Sequence, residues 1–349
     1  MSMTRKAWRL SRYPEGLIHR DDFTLVEERL PEPRVGEMRI RNLLLSIDPT
    51  NRVWASPIET YMPRLELGEV MRGLGIGVVE ASRHPDFPVG TYVTGLIGWQ
   101  DRFVTDGTGA DGTPLFAPFQ RDPDLPLTAY LGLFGFIGLT AYIGVTRIGK
   151  AQAGETLVVS AAAGATGSLA GQIGKQLGCR VIGIAGGADK CRRLVEEFGF
   201  DAAIDYKNER VAERLAALCP DGVDIYYECV GGEIFEAVLD HLARGARIVF
   251  TGQISRYNDP DQPGPRNLVN LILKRARIEA FVVLDYLDDT ALIEEAMRNF
   301  ASWYRAGAIT FGTHVVDGLE SAPEAVNMLF TGANQGKLMV RLAEDPGTA

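Results

Sequence analysis

The sequence predicts an α/β protein, a doubly wound parallel Rossmann sheet joined to a second, mostly β domain. The first observation is residues 156–160, a β-branched apolar run that breaks into a turn of small residues and reopens as a helical apolar pattern. The second is the alternation of further short apolar runs with helical stretches beyond that turn. The third is the contrasting character of the first 125 residues, where β-rich runs are cut by Pro/Gly turns. At 349 residues the chain exceeds one average domain, so two separate cores are expected.

The opening domain rests on residues 37–46 (EMRIRNLLLS), 76–81 and 91–97, separated by turn clusters such as PEPRVGE and HPDFPVG, which suits an elaborated barrel. Residues 125–148 form a Gly-rich apolar stretch with the look of a membrane span, but its repeated glycines and the βα series behind it favour a buried helix pair. Strands are then expected at 156–160, 180–185, 202–204, 223–228, 247–251 and 278–284, giving a six-stranded sheet. After Ile309 a helix at 322–330 and a last strand at 337–342 return to the first domain. The domains are therefore drawn as 1–125 with 314–349, and 126–313.

The turn at the head of the sheet carries the first functional signal. Ala162, Gly164 and Gly167 leave room for a pyrophosphate to lie against bare backbone, where the helix dipole favours negative charge. The motif is imperfect, because Ala162 stands at the first glycine and Ala170 at the helix-packing position; the alternative is a turn that merely packs strand against helix. The second strand at 180–185 ends where an NAD site places a carboxylate for the ribose, yet Gly186, Gly187 and Ala188 stand there. Lys190 opens the next helix and Tyr206 follows the next strand. A cation without a facing carboxylate suits a ribose phosphate, so NADP is expected over NAD. The alternative for Lys190 is a solvated helix lysine, and Tyr206 alone equally suits a packed surface tyrosine.

Composition narrows the partners. With 45 acidic against 36 basic residues the formal net charge is −9, which makes neither nucleic acid nor an anionic membrane an attractive partner. No apolar run approaches the roughly 20 residues of a membrane span, and no apolar signal core follows the basic N-terminal residues, so a cytoplasmic enzyme is expected. Cys179, Cys191, Cys219 and Cys229 show no C-x-x-C spacing, and His19, His84, His241 and His314 are equally scattered. This pattern offers no zinc site and suits reduced, buried thiols.

Across nearly its whole length the chain carries, in order, GLTAY, AAAGATGSLAGQIGK, FGFDAAIDYKNE, CVGG, GQISRYN, EAFVV and NQGKLMV. In this it resembles the zinc-independent branch of the medium-chain dehydrogenase/reductase superfamily, and within it the prostaglandin reductases and alkenal/one double-bond reductases, also called the leukotriene dehydrogenase family. Zinc-dependent relatives carry Gly-His-Glu near Leu67, Gly68 and Glu69 and a cysteine ligand in the first domain; this chain has neither.

The resemblance implies a GroES-like first domain and a set of roles. Gly164, Ala165, Thr166 and Gly167 match the pyrophosphate turn, Lys190 and Tyr206 the contacts to the 2'-phosphate, and Asn334 a further cofactor contact. Thr251, Gly252, Gln253, Ile254, Ser255 and Tyr257, with Phe281, Val282 and Val283, match the segments along the nicotinamide. For Phe281, Val282 and Val283 the alternative is a plain core strand. The implied chemistry is hydride transfer from NADPH to the β-carbon of an α,β-unsaturated aldehyde or ketone. Tyr257 matches the family's active-site tyrosine and is the first candidate donor to the carbonyl oxygen, with Tyr61 the second; for each the alternative is an aromatic wall with its hydroxyl in solvent.

Two departures bear on specificity. Relatives carry Asp-Pro-Tyr-Met-Arg where this chain reads Asp48, Pro49, Thr50, Asn51, Arg52, and they often show asparagine where Cys229 stands. Thr50 and Asn51 suit a roomier, more polar pocket, which with Tyr61, Trp99, Tyr257 and Tyr286 as walls favours a flat or aromatic enone over a short aliphatic one. A quinone reductase on the same scaffold and a non-catalytic NADPH-binding protein are the competing functions. The resemblance also implies a homodimer, for which 278–284 is a candidate joining edge, and the polar loop 257–266 is a candidate lid.

Overall fold

The structure is a computed structural model that describes residues 3–259, 261 and 263–348. Pro260 and Gln262 of the loop at 257–266 therefore lie outside the described residues. The chain divides into two compact units, Met1–Leu131, Thr313–Asn334 and Leu338–Ala349 forming one, Gly132–Gly312 with Gln335–Lys337 the other. The first division stands at 131/132, beyond the 125/126 drawn from sequence. The cause is a 3-10 turn, Leu127–Tyr130, whose residues pack in the first unit: the Tyr130 ring lies 4.5 Å from Phe119, and Leu127 and Leu131 enter a cluster with Leu43, Ile76 and Met339.

The first unit opens with a hairpin of β1 (Thr4–Leu10) and β2 (Phe23–Arg29). There follow β3 (Met38–Ser46), a short helix α1 (Thr50–Trp54), β4 (Leu74–Ser82), β5 (Tyr92–Leu96), β6 (Arg102–Thr105) and β7 (Phe116–Phe119). Strand β3 is the spine, pairing antiparallel with β4 and β6, while β5 joins β4 and β7 joins β5. Its apolar residues enter three clusters: Leu45 that around Trp8, Trp54, Met71 and Trp99, Met38 and Ile40 that around Phe103 and Phe116, and Leu43 and Leu44 that with Ile76 and Met339.

The second unit begins with α2 (Phe136–Ile143), which runs into a π-helical turn, Gly144–Ile148. The long apolar stretch at 125–148 is thus a series of short turns and one two-turn helix, interrupted by its glycines. Among the described residues no helix is long and apolar enough to cross a membrane. The alternation then runs β8 (Thr156–Val159), α3 (Ala165–Gln176), β9 (Arg180–Ala185), α4 (Ala188–Glu196), β10 (Ala202–Asp205), α5 (Val211–Leu218), β11 (Val223–Glu228), α6 (Gly232–Leu239), β12 (Leu242–Phe250), α7 (Val269–Lys274), β13 (Arg277–Ala280) and α8 (Thr290–Arg305). The chain returns to the first unit with β14 (Thr313–Asp317), α9 (Ala322–Thr331) and β15 (Lys337–Arg341), the last pairing with β3.

The six strands of the second unit pair parallel in the order β10, β9, β8, β11, β12, β13. Side chains alternate as the pleat requires: Leu157, Val159, Ile225 and Tyr227 face the core under α2, α3 and α8, while Val158 and Tyr226 face the core under α5 and α6. The order reverses between β8 and β11, so their carboxyl ends open the crevice where doubly wound folds take ligands. One expected strand is shorter than read: 278–284 ends at Ala280, and Val283 opens a 3-10 turn to Tyr286. Phe281 and Val282 are therefore not core-strand residues; Phe281 folds back so that its ring meets Tyr286 edge-on at 6.0 Å.

Candidate active site

The site of the second unit is built on the crevice between β8 and β11. Strand β8 ends at Val159, and three residues later the chain passes Ala162, fully buried, into Gly164, which caps α3. The turn is tight because Ala161 takes a left-handed φ of 46°, and a Cβ at Gly167 would stand 2.5 Å from the Ala161 carbonyl oxygen. Farther along α3, a Cβ at Gly171 would stand 2.0 Å from the Phe200 ring, so the small residues let the helix lie close on the sheet. The result is a helix N-terminus presenting bare backbone at Gly164, Ala165, Thr166 and Gly167, which fits a pyrophosphate.

Next to it, the turn after β9 meets the turn after β10. Lys190 lies in the first turn of α4, half-buried, and its ammonium is pulled below the ordinary lysine value by burial and then by the charges of Lys207 and Arg193. The side chains of Tyr206 and Lys207 both reach Gly186, where a Cβ would meet each at 2.9 Å. Asp205, at the end of β10, is taken up by the turn itself: it accepts from Gly187 N at 2.7 Å, Lys207 N at 3.1 Å and Asn208 Nδ2 at 2.7 Å. Burial pushes that carboxyl upward, but these bonds outweigh it and hold it below its usual range. Lys190, Tyr206 and Lys207 thus gather round a glycine turn that itself takes up Asp205, a constellation that fits a phosphate. Lys207 was not singled out from the sequence, although it stands beside Tyr206; Arg193, whose charge also bears on Lys190, is itself paired with Glu197 at 2.9 Å.

On the other flank, Thr251 and Gly252 follow β12, and Ile254–Arg256 form a 3-10 turn that ends at Tyr257. The Tyr257 side chain turns back so that its hydroxyl would be 3.0 Å from a Cβ on Gly252. Thr251 Oγ1 donates to the Glu228 carbonyl at 2.8 Å and lies 3.2 Å from Cys229 Sγ. Burial pushes the Cys229 thiol up to about 12, so it stands there as a neutral group. Gln253, Ile254, Ser255, Phe281, Val282, Val283 and Tyr286 are half-buried around this turn and the one after β13.

In the first unit, Thr50 Oγ1 and the Tyr61 hydroxyl lie 2.9 Å apart, and Tyr61 is half exposed. The structure brings this pair together. Two other expected pocket residues are corrected. Trp99 is fully buried at 5.4 Å from Phe23 and a Cβ on Gly73 would press on its ring, so it is core packing and not a wall. Asn51 is also fully buried; its Oδ1 accepts from Asp48 N at 2.8 Å and its Nδ2 donates to the Arg72 carbonyl at 3.3 Å, so it holds the start of α1 and adds no polarity to a pocket. Arg52 likewise turns inward, donating to the carbonyls of Gly16 and Pro14 at 2.7 and 2.9 Å. Asn334 is nearly buried in the loop between α9 and β15. Among the described residues no group of three His, Cys, Asp or Glu is placed to hold a metal ion.

With this geometry in view, two family models match, one described as the N-terminal domain of oxidoreductase over residues 6–112, the other as zinc-binding dehydrogenase over residues 165–302. The NADPH-dependent curcumin reductase of Escherichia coli is 39% identical over 97% of this chain and 97% of its own length. The 2-alkenal reductase (NADP(+)-dependent) of Nicotiana tabacum is 37% identical, covering 96% of this chain and 97% of that protein. Among solved structures, CurA from Vibrio vulnificus in complex with NADPH matches with a TM-score of 0.90 and 39% identity, covering 97% of this chain and 100% of that one.

Proposed function

This chain belongs to the zinc-independent medium-chain dehydrogenase/reductases, in the family of prostaglandin reductases and alkenal/one double-bond reductases, and is an NADP-dependent oxidoreductase; on that premise we propose that it saturates the carbon-carbon double bond of α,β-unsaturated aldehydes or ketones. When bound, NADPH supplies the hydride. Gly164, Ala165, Thr166 and Gly167 would hold its pyrophosphate, Lys190, Tyr206 and Lys207 its 2'-phosphate, and the turns at 251–257 and 281–283 its nicotinamide half. As the β-carbon accepts the hydride, the π electrons move onto the carbonyl oxygen, and a hydrogen bond donated by the Tyr257 hydroxyl stabilises that charge. The α-carbon then takes a proton, drawn finally from water. A phenol O–H can donate a hydrogen bond, which suits the role.

The observation that carries this reading is the Tyr257 hydroxyl folded back over Gly252 at the carboxyl edge of the sheet. Tyr257 and Tyr286 give the second unit's site an aromatic lining, so the preferred substrate is a flat, aromatic enone over a short aliphatic one; Tyr61 with Thr50, in the first unit, is the second donor candidate. The relative named curcumin reductase supports that preference, curcumin being an extended aromatic enone. The test is NADPH consumption against aliphatic enals, aromatic enones and quinones with products identified by mass. A product two hydrogens heavier at the double bond supports the reading, hydroquinone alone assigns a quinone reductase, and NADPH binding without any turnover assigns a non-catalytic role.

The working unit is a homodimer joined through β13. That strand is the sheet edge, all four of its residues are exposed, and beside it α7 exposes Val269, Ile272 and Leu273 at 57%, 77% and 61%. An open apolar edge of this kind invites pairing with a second copy. We place the enzyme in the cytoplasm, where the free thiols of Cys179, Cys191, Cys219 and Cys229 persist.

A further inference from the structure

We infer that Glu228 is a positioning residue for the reaction: its buried carboxylate fixes the turn at Cys229, Val230 and Gly231, and that turn in its place holds the segment carrying the Tyr257 hydroxyl. The inference rests on the reading of Tyr257 as the oxygen donor.

Glu228 is the last residue of β11, one of the two strands at the switch point, and it is fully buried. A carboxylate in such a place must be supplied with donors. Its Oε1 accepts from Val230 N at 2.9 Å and also from Gly231 N, and its Oε2 from Ser160 Oγ at 3.2 Å. Ser160, just past the end of β8, in turn accepts from Cys229 N at 2.8 Å. The side chain therefore ties together the carboxyl ends of β8 and β11 and bends the chain between them and α6, where Gly231 takes a φ of 83°.

That turn is the seat of the next segment. The Cys229 carbonyl accepts from Ile254 N at 3.0 Å, and the Val230 carbonyl from Ser255 N at 3.1 Å and from Ser255 Oγ at 2.6 Å. Tyr257 closes the same 3-10 turn. Two steps of hydrogen bonding, through Val230, carry Glu228 to Ser255, and the 3-10 turn carries the coupling on to Tyr257, whose N donates to the Ile254 carbonyl at 3.4 Å; all of this lies inside the second unit, and Glu228 touches none of the groups assigned to the adenosine half. A residue that served the sheet alone would have its bonds on the strand ladder; the carboxylate of Glu228 directs its bonds to the turn and to Ser160.

The test uses the full chain with Glu228→Ala, Glu228→Gln and Ser255→Ala, alone and combined with Tyr257→Phe. Hydrogen exchange at 229–231 and 251–258 is read without cofactor, NADPH affinity by fluorescence, and kcat and KM on an aromatic enone. For Glu228→Ala the inference expects faster exchange in both segments, kcat lowered at least ~10-fold and NADPH Kd within about threefold. It also expects Glu228→Gln to restore kcat to within about threefold, since an amide oxygen still accepts from Val230 N and Gly231 N. In the Tyr257→Phe background the same substitution should change kcat by less than about twofold, the signature of residues acting in one chain. Unchanged exchange at 254–258, a kcat loss that persists without the Tyr257 hydroxyl, or a loss lying in NADPH affinity overturns the inference. If Glu228→Ala does not fold, Ser255→Ala decides: it takes away the Ser255 Oγ bond to the Val230 carbonyl, and a variant with unchanged exchange and kcat overturns the inference equally. A wild-type enzyme that reduces no enone defeats the functional reading, while the exchange arm still tests the coupling.

Discussion

The Tyr257 hydroxyl is the one side-chain donor on the nicotinamide flank to which the account gives chemistry, so its removal is the sharpest single substitution. Tyr257→Phe should lower kcat/KM on an enone by roughly 10–100-fold while leaving NADPH affinity within about twofold, as for loss of a donor to developing oxygen charge; an unchanged kcat/KM would remove Tyr257 from the mechanism. At the 2'-phosphate, Lys207→Ala should raise KM for NADPH about tenfold and leave KM for NADH unmoved, since a charge-assisted bond to the extra phosphate is what separates the two cofactors. Glu228 adds a pH signature. Burial lifts its carboxyl to about 7 against roughly 4.3 in an unfolded chain, so its contribution to stability is intact below about pH 4.3 and is lost as pH rises through about 7. Tyr226 and Cys229, which face it, are themselves pushed up by burial and stay neutral through this window. Thermal melts of Glu228→Gln should accordingly gain on the wild type as pH rises from about 4.5 to about 7.5, and a constant difference would contradict the shift. At this scale the motifs located the turns on which Lys190, Tyr206 and Tyr257 stand. Where the fold alone decides which way a side chain points the sequence was silent: Trp99 and Asn51 turn inward.

Among the elements, the turn from β8 into α3 was legible despite its missing first glycine, because a β-branched run followed only by small residues permits little else. Its constraint is steric and can be tested as such. A Cβ on Gly167 would come to 2.5 Å from the Ala161 carbonyl, so Gly167→Ala should lower Tm and weaken NADPH binding more than tenfold; a variant that binds NADPH normally would mean the turn opens freely. Helix α9, expected at 322–330, runs Ala322–Thr331, with Pro323 in its first turn and Gly332 closing it at a φ of 72°. The stretch after β13 was not. Phe281, Val282 and Val283 read as a continuing strand by composition, yet β13 ends at Ala280, and among the described residues no further strand lies outside it to pair with.

For the whole molecule, the two-unit plan followed from the shift in pattern near residue 125, and the exposed edge of the second unit gives the assembly its test. Ile272→Glu with Leu273→Glu should turn a dimer into a monomer by light scattering, with Tm lowered; a wild type that is already monomeric would reject the assembly. The most direct measurement is the mass and structure of the product formed from an aromatic enone with NADPH, with NADH run in parallel. The account predicts a saturated ketone two hydrogens heavier than the substrate, its carbonyl intact, formed preferentially with NADPH. An allylic alcohol with its double bond retained, or reduction confined to quinones, would contradict it.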